Sequence, residues 1–489
     1  MVINTAHSFL ISQREVLSEV TYMKKVVVVL LTVLVLISLL LSACANDTDS
    51  QEQTLWIVAE AQYMPEMPDN TDWQIQKVVS AFKQAHKDVT VTLEFLPSEK
   101  EKPEERSVRL EQLRAEILAG SGPDVYLIPI DHRTESPLFR DVQQAMRNGV
   151  FADISIYYDA DDALGKEDLV TEVMDGGVID GARYVLPISY NYAALLTEQS
   201  VMEAAGLDLE AAASDVFELY GALAAAGDSQ WCCSLNTLNS TSYSHFLPQI
   251  IDYDSGNVLI DEVQMEEFLK LICYNWSQSP VFPGFGCSKY IHYGSAFTQQ
   301  EPVTMCMITQ AVPIAAVSKV AGQELVAIPV RAADGDLVAS ITYYGAVGNG
   351  CTDPELAYEF LREFLTEDVQ LQRERMELKN LSVQTYITGG LPVRSKGKAA
   401  ELWEMEKIIN KSWNVENEAK ARKKALMAID LTQEDLPILD VPIDRVYFAN
   451  YFDQEIMFDT LKKLYENPEN TKAIAEELIF QLRVHAAEG

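Results

Sequence analysis

Apolar and polar positions alternate in a strand–helix–strand order near the start of the main body of the chain. Residues 54–61 form a short apolar run typical of a buried strand, and residues 88–97 alternate apolar and polar positions with a period of two. Residues 72–87 between them place apolar side chains at helical spacing. The apolar positions of this helix are Ile75, Val78, Val79 and Phe82.

A second helix and a third strand follow. Residues 105–120 form an amphipathic pattern that Gly120 ends, and residues 122–130 are almost continuously apolar. Strands alternating with helices predict an α/β fold with a mainly parallel sheet covered on both faces. Ligands bind beyond the carboxyl ends of such strands, which directs attention to residues 60–64 and 129–133.

The N-terminal apolar run, residues 26–41, follows Lys24 and Lys25. It is shorter than the roughly 20 apolar residues of a membrane span and has the layout of a secretory signal. Residues 41–44 (LSAC) resemble a bacterial lipobox, which implies cleavage before Cys44 and a diacylglycerol on its sulfur. A signal anchor with an incidental cysteine is the alternative.

Residues 1–43 are thus predicted to be a signal peptide, with Met23 as a second candidate for its start, and residues 44–53 a polar tether. The rest of the chain is expected on the extracellular face of the cell membrane, as in Gram-positive bacteria. Two or more acyl chains make such anchoring stable, because each buried methylene contributes about 0.8 kcal/mol.

Composition excludes one class of partner. The chain is 48% hydrophobic and 23% charged, which is typical of a globular protein. Its formal net charge is −35, with 73 acidic against 38 basic residues, whereas nucleic-acid binding needs a basic surface. The acidic excess is interpreted as a solvated surface that favours solubility.

No metal site or cofactor is predicted. The six histidines and the cysteines other than Cys44 show no paired metal-ligand spacing. Those cysteines could be buried thiols or disulfides, and the spacing leaves both open. They are Cys232, Cys233, Cys273, Cys287, Cys306 and Cys351. Residues 252–256 start like a calcium loop, but Gly256 and Val263 stand where oxygen ligands belong, so a plain turn is expected.

No catalytic motif is present for a serine hydrolase, a phosphate-binding loop, a zinc protease or a dinucleotide enzyme. Pairs of carboxylates carry no information in so acidic a chain, since many occur by chance. The sequence therefore favours a binding protein over an enzyme.

Several segments resemble, in order, the carbohydrate-type extracellular solute-binding proteins that supply ATP-binding-cassette (ABC) importers. They are residues 81–97 (AFKQAHKDVTVTLEFLP), 113–129 (LRAEILAGSGPDVYLIP), 181–207, 296–313, 343–368, 389–394 (GGLPVR) and a helical tail through residue 484. Two segments depart from the family pattern. Residues 197–200 (TEQS) replace the usual run of an aromatic residue, asparagine and lysine, and Thr309 and Gln310 stand where many relatives carry an aromatic residue.

The resemblance implies a class II periplasmic-binding-protein-like fold, with two α/β lobes joined by three chain crossings. Lobe 1 would comprise residues 54–186 and 309–345, and lobe 2 residues 187–308 and 346–489. The family captures a solute in the cleft between its lobes and delivers it to an ABC permease. The protein is expected to act as a monomer.

Sugar ligands need aromatic faces for their C–H surfaces, and polar groups for their hydroxyls. Glu60 and Asp131 follow strands one and three, at positions where relatives bind hydroxyls, and Tyr190 and Tyr344 adjoin crossings. The predicted ligand-binding residues are Glu60, Tyr63, Asp131, Tyr190, Asn191, Gln310 and Tyr344.

Two rival functions are considered. A lipid-anchored hydrolase of polysaccharide or peptide would need a carboxylate pair or metal site that the sequence does not show. An iron carrier would use Tyr343 and Tyr344 as phenolate ligands. Neither rival accounts for the ordered resemblance along the chain.

Overall fold

The computed structural model describes most of the chain after the predicted tether. The described residues are 53–60, 70–99, 101–130, 136–199, 249–252, 255–278, 303–307, 325–370, 390–395, 427–432, 441–448 and 451–488, with isolated positions at 203, 206, 215, 217, 218, 421, 424 and 425. In this part of the chain no helix combines the length and apolarity needed to cross a bilayer. The predicted signal peptide and Cys44 lie outside it.

The first five elements confirm the sequence patterns. They are β1 (Gln53–Ala59), α1 (Asn70–Ala85), β2 (Val89–Phe95), α2 (Pro103–Leu118) and β3 (Val125–Pro129). Helix α2 begins with Pro103, whose fixed φ suits the first turn, and with acidic side chains that favour a helix N-terminus. Gly120 follows the helix with φ +72°, the left-handed conformation that ends a helix.

The remaining elements follow in chain order. The strands are β4 (Val178–Ile179), β5 (Ala182–Arg183), β6 (Val185–Asn191), β7 (Ala193–Glu198), β8 (Ile251–Asp252), β9 (Asn257–Val258), β10 (Val303–Met307), β11 (Leu325–Pro329), β12 (Val338–Val347), β13 (Leu391–Pro392) and β14 (Arg445–Tyr447). The helices are α3 (Val142–Arg147), α4 (Ser155–Ala160), α5 (Thr171–Asp175), α6 (Glu262–Gln278), α7 (Pro354–Arg362), α8 (Glu367–Gln370), α9 (Tyr451–Glu466) and α10 (Thr471–Glu488).

The main sheet has the strand order β13–β6–β12–β3–β1–β2, with β14 also paired to β12. Strands β1 and β3 are parallel, as are β12 and β14. Strand β12 runs antiparallel to both β3 and β6. The sheet is therefore mixed, where the sequence pattern predicts a mainly parallel one, because β12 enters between β3 and β6 from the opposite direction. A second sheet, β10–β7–β11, is antiparallel.

Buried apolar side chains form two separate cores. The first contains residues of β1, β3, β6 and most of β12, and the second residues of α6, α9 and α10. At three junction positions a strand residue of the second core lies directly between residues that contact the first: Ala193 between Tyr192 and Ala194, Val338 between Leu337 and Ala339, and Tyr447 between Val446 and Phe448. Ile130 packs against both cores.

The first core also includes Val347 and five residues of α7. The sequence-based lobe limits assign these residues to lobe 2. In the structure α7 presents a strongly amphipathic face to the first core, with Asp353 capping its N-terminus through the Leu356 N–H. The lobe limits stay a prediction.

Strands β8 and β9 form a hairpin whose turn contains Gly256 at φ +69°, so the segment at Asp252 is a turn as expected.

Two of the cysteines have described side chains. Cys273 and Cys351 are free thiols. Burial, with the nearby charge of Asp124, raises the pKa of Cys351 to about 12. The other cysteines lie outside the residues whose side chains are described.

Gly348→Ala tests the packing at the end of β12. A Cβ at this position would lie 2.1 Å from the backbone oxygen of Pro123, which cannot move without disturbing the start of β3. The free energy of unfolding should fall by roughly 1–3 kcal/mol, measured by urea denaturation. Gly149→Asn is the control, because a Cβ there meets nothing within 4 Å and Asn tolerates the left-handed conformation. Equal losses in the two variants would contradict the close contact at Gly348.

Candidate functional site

Glu60 lies immediately after β1, at the carboxyl end of the strand. Its N–H donates to the carbonyl oxygen of Leu127 (2.9 Å), which extends the pairing of β1 with β3. The Tyr343 hydroxyl lies 3.5 Å from the Glu60 carbonyl oxygen. The Glu60 carboxylate accepts a hydrogen bond from Arg106 in a buried ion pair. Glu60 is thus a fixed, largely buried carboxylate and not a solvated loop acid.

Tyr190 belongs to the fully buried strand β6 and is itself only 2% exposed. It faces Ile341 of β12 and Leu391 of β13 across the sheet. The Tyr190 hydroxyl and the Ser395 hydroxyl are 3.1 Å apart and form a hydrogen bond. The ring is therefore packed in the first core of the ligand-free chain, and its role as a ligand contact stays a prediction.

Tyr344 is also fully buried, in the middle of β12. Its ring makes edge contacts with the rings of Phe151 and Phe448, at centroid distances of 6.4 and 6.1 Å. Phe448 follows β14 directly, so this contact packs the end of β14 against β12 within the first core. Its predicted role at the ligand likewise stays a prediction.

Asn191 is the last residue of β6 and lies two residues before Ala193, which belongs to the second core. It faces Ser340 of β12, and both side chains are buried. Among the described residues the Asn191 side-chain oxygen has no hydrogen-bond partner. A buried polar atom left without a partner costs roughly 1–3 kcal/mol. This oxygen is therefore ready to accept a hydrogen bond from a hydroxyl or a water.

Tyr63, Asp131 and Gln310 lie outside the described residues. The four described site residues belong to one sheet or directly follow it: Glu60 follows β1, Tyr190 and Asn191 end β6, and Tyr344 lies on β12. Strand β12 adjoins β6 and is separated from β1 only by β3.

A set of buried polar pairs around β6 was not predicted. The hydroxyls of Ser189 and Thr342 are 2.6 Å apart, across β6 and β12. The Gln370 amide donates to the carbonyl oxygen of Ile188 (3.0 Å). A Cβ on Gly390 would lie 2.6 Å from the Tyr190 carbonyl oxygen, so only glycine fits there. The GGLPVR segment, which contains Gly390, was the one sequence signal for this packing.

One side-chain contact joins the two cores away from the strands. Arg140, just before α3, lies 3.5 Å from a Glu455 carboxylate oxygen and 5.1 Å from the ring centre of Phe452. Glu455 and Phe452 are on α9, which packs into the second core. A change in the angle between the cores would therefore alter this contact.

The iron-carrier hypothesis is contradicted. Tyr343 and Tyr344 are both fully buried, and the Tyr343 hydroxyl points to the carbonyl oxygens of Glu60 and Leu127. The Tyr344 ring lies among aromatic rings instead. The two phenols thus do not form one ligand pair. Within the described chain no three His, Cys, Asp or Glu side chains are grouped to hold a metal ion.

Comparison with known proteins places the chain in a family. Residues 69–371 match the sequence model of a family described as bacterial extracellular solute-binding protein. The match covers more than half of the chain. A search of curated protein sequences finds no match.

Solved structures share the fold at low sequence identity. The sugar-binding protein MalE from Xanthomonas citri is 13% identical, covers 89% of this chain and 98% of its own, and has a TM-score of 0.52. A de novo designed cysteine esterase is 14% identical, with the same coverage and a TM-score of 0.50. The galacto-N-biose/lacto-N-biose I-binding protein of Bifidobacterium longum is 13% identical, covers 89% of this chain and 97% of its own, and has a TM-score of 0.49. The fold is thus two-lobed, α/β and periplasmic-binding-protein-like.

Tyr190→Phe should lower the free energy of unfolding by about 1 kcal/mol, because the buried Ser395 hydroxyl loses its partner. Urea denaturation of the ligand-free protein measures the change. Tyr157→Phe is the control, since Tyr157 is only partly buried and stacks on Tyr358 through its ring. It should change stability by less than about 0.5 kcal/mol. A neutral Tyr190→Phe would contradict the buried hydroxyl pair.

Proposed function

The chain belongs to the bacterial extracellular solute-binding protein family, and we propose that it captures a sugar or oligosaccharide between two lobes and delivers it to an ABC permease. The ligand would be held by hydrogen bonds and aromatic contacts. No covalent step is needed on this chain.

The observation that carries this proposal is the unpartnered, buried Asn191 oxygen, two residues before the junction position at Ala193. A ligand held there would lie beside residues of both cores. We assign the first core to lobe 1 and the second core to lobe 2. On this assignment lobe 1 gains α7 and the end of β6 relative to the limits drawn from the sequence, and lobe 2 gains Ile328, Val330 and Ala332.

The three junction positions are the proposed hinge. At each of them adjacent residues of one strand contact different cores, so a small change in backbone angles there would rotate one lobe against the other. A ligand that contacts both lobes only when they close shifts the population toward the closed form. Moving a two-state equilibrium from 1:99 to 99:1 needs about 10⁴-fold tighter binding to the favoured state. The closed form would then dock on the permease.

Carbohydrate is the ligand class that the residues favour. Glu60 supplies a fixed carboxylate and Asn191 an amide oxygen, both of which accept hydrogen bonds from hydroxyl groups. The sequence resemblance is to the carbohydrate-type branch, and the Xanthomonas citri protein that shares the fold is a sugar-binding protein. Tyr63, Asp131, Gln310, Tyr190 and Tyr344 remain proposed contacts.

The lipobox supports a second part of the proposal. Acylation of Cys44 would hold the protein at the extracellular face of the membrane, beside the permease that receives the solute. The tether of residues 44–53 would let the folded body move over the permease. Diffusion away from the cell would thereby be prevented.

Ligand-dependent stabilisation tests the binding function. The cognate sugar should raise the melting temperature of the purified protein. At a sugar concentration of 100 times the Kd, the expected gain in the free energy of unfolding is about 2.7 kcal/mol. Small-angle scattering should show a smaller radius of gyration with the same sugar, because closure brings the lobes together.

Amino acids and short peptides in the same panel are the controls, and they should leave both measurements unchanged. Chromatography of the sugar after incubation separates binding from hydrolysis. Recovered intact sugar supports the binding protein, and hydrolysis products would support the lipid-anchored hydrolase instead. Saturation without compaction would contradict the two-lobe switch.

Cys44→Ala tests the anchor. Cells fed a labelled fatty acid should incorporate label into the parent protein and not into this variant, which should also stay uncleaved or leave the membrane fraction. Cys351→Ala is the matched control, because Cys351 is a free thiol in the folded body. It should keep the label. Equal labelling of Cys44→Ala and the parent would exclude acylation at this position.

A further inference from the structure

Arg106 is an arginine in the first turn of α2 whose side chain is only 3% exposed. In a chain with a net charge of −35, a buried cation is expected to serve a specific arrangement of partners. Its N–H continues the helix by donating to the Lys102 carbonyl oxygen (3.0 Å). The helix therefore fixes the backbone of Arg106, and the guanidinium group extends away from the helix.

The guanidinium contacts three separate segments of the chain. Nη2 donates to the Glu60 carboxylate, directly after β1. Nη1 donates to the Pro97 carbonyl oxygen (3.1 Å), in the loop after β2. Nε and Nη2 donate to the Ser136 carbonyl oxygen (3.2 and 2.8 Å), in the segment that follows β3.

These three segments share one property, which is that each follows the carboxyl end of a strand in the same sheet. Ligands of open α/β sheets bind at that edge. The planar fork of arginine presents five N–H donors in fixed directions, so one side chain can hold three loops in a single arrangement. A lysine at this position offers one nitrogen and could not reach all three partners.

We propose that Arg106 is the positioning residue of the lobe 1 binding surface, where it holds the chain at Glu60, Pro97 and Ser136 in the arrangement that contacts the ligand. The inference rests on the proposed sugar-binding function. Arg106 acts through Glu60 and the two loop carbonyls, since its own side chain is enclosed by them. The sugar gains affinity because the loops are already ordered when it arrives.

Arg109 supplies a matched control on the same helix. It lies one turn further along α2 and pairs with Glu94 of β2 and Glu116 of α2. Neither partner follows the carboxyl end of a strand. Arg109→Gln therefore removes a comparable ion-pair network without touching the three loops.

The experiment measures sugar affinity and hydrogen–deuterium exchange on the full chain. Arg106→Gln should raise the Kd for the cognate sugar at least tenfold, Arg106→Lys should fall between it and the parent, and Arg109→Gln should stay within twofold. If Arg106 served stability alone, the loss of sugar affinity in Arg106→Gln and in Arg109→Gln would instead be proportional to the loss of melting temperature in each variant.

A double variant tests whether Arg106 acts through Glu60. Glu60→Gln combined with Arg106→Gln should have the same Kd for the sugar as Arg106→Gln alone. If the double variant binds more weakly, by the product of the two single effects, the two residues act independently and the proposed action through Glu60 is overturned.

The exchange measurement needs no ligand. Residues 53–60, 96–99 and 136–140 should all exchange faster in Arg106→Gln than in the parent, whereas Arg109→Gln should affect only β2 and α2. Unchanged exchange in these segments, or affinity within twofold of the parent, would overturn the positioning role. Arg106→Lys keeps the charge, so it provides the same test if Arg106→Gln fails to fold. A parent that binds no sugar in the panel would overturn the proposed function, and the exchange result would still decide whether Arg106 orders the three segments.

Discussion

All ten residues of strand β12, Val338–Val347, are buried, and its backbone pairs with β3, β6 and β14. A strand enclosed in this way has no access to water, so every N–H and C=O must find a partner in the sheet. Its first residue, Val338, faces the second core, and most of the others contribute to the first. The strand thereby joins β3, β6 and β14 into one sheet.

Several of the buried polar groups described at this junction are paired, and the side-chain oxygen of Asn191 is an exception. Ser189 pairs with Thr342, Tyr190 with Ser395, and the Gln370 amide with the backbone of β6. Such buried networks define a single arrangement because each unmade bond is costly. Against this background the unpartnered Asn191 oxygen is informative, since its neighbours show that the fold otherwise satisfies such groups.

The charge of the molecule is distributed unevenly between surface and interior. The acidic excess dominates the composition, yet arginine is prominent among the buried charged residues. Arg394 binds the carbonyl oxygens of Leu164, Gly165 and Leu365, and Arg183 lies 4.0 Å from the ring centre of Tyr158. Arg106 follows the same principle at the strand ends. Delocalised charge and five donors suit arginine to join loops that have only carbonyl oxygens to offer.

Local patterns were sufficient for the early elements. The apolar periodicity of residues 72–87 predicts α1, because a helix that covers a sheet must bury one face whatever its distant partners are. Gly120 predicts the end of α2 for a reason that is equally local, the left-handed backbone after a helix. The two-lobed fold followed from the order of several weak resemblances along the chain.

The remaining features depend on contacts between residues far apart in the chain. The mixed sheet arises because β12 inserts between β3 and β6, and no pattern within β12 specifies its neighbours or their direction. Tyr190 and Tyr344 adjoin the predicted crossings, but their burial is decided by partners such as Ser395 and Phe448. The role of Arg106 is likewise invisible locally, since its partners lie 9, 30 and 46 positions away. Sequence alone determined where the chain turns and which faces are apolar, whereas tertiary packing decided which polar groups meet, because hydrogen bonds act over a few ångströms irrespective of separation along the chain.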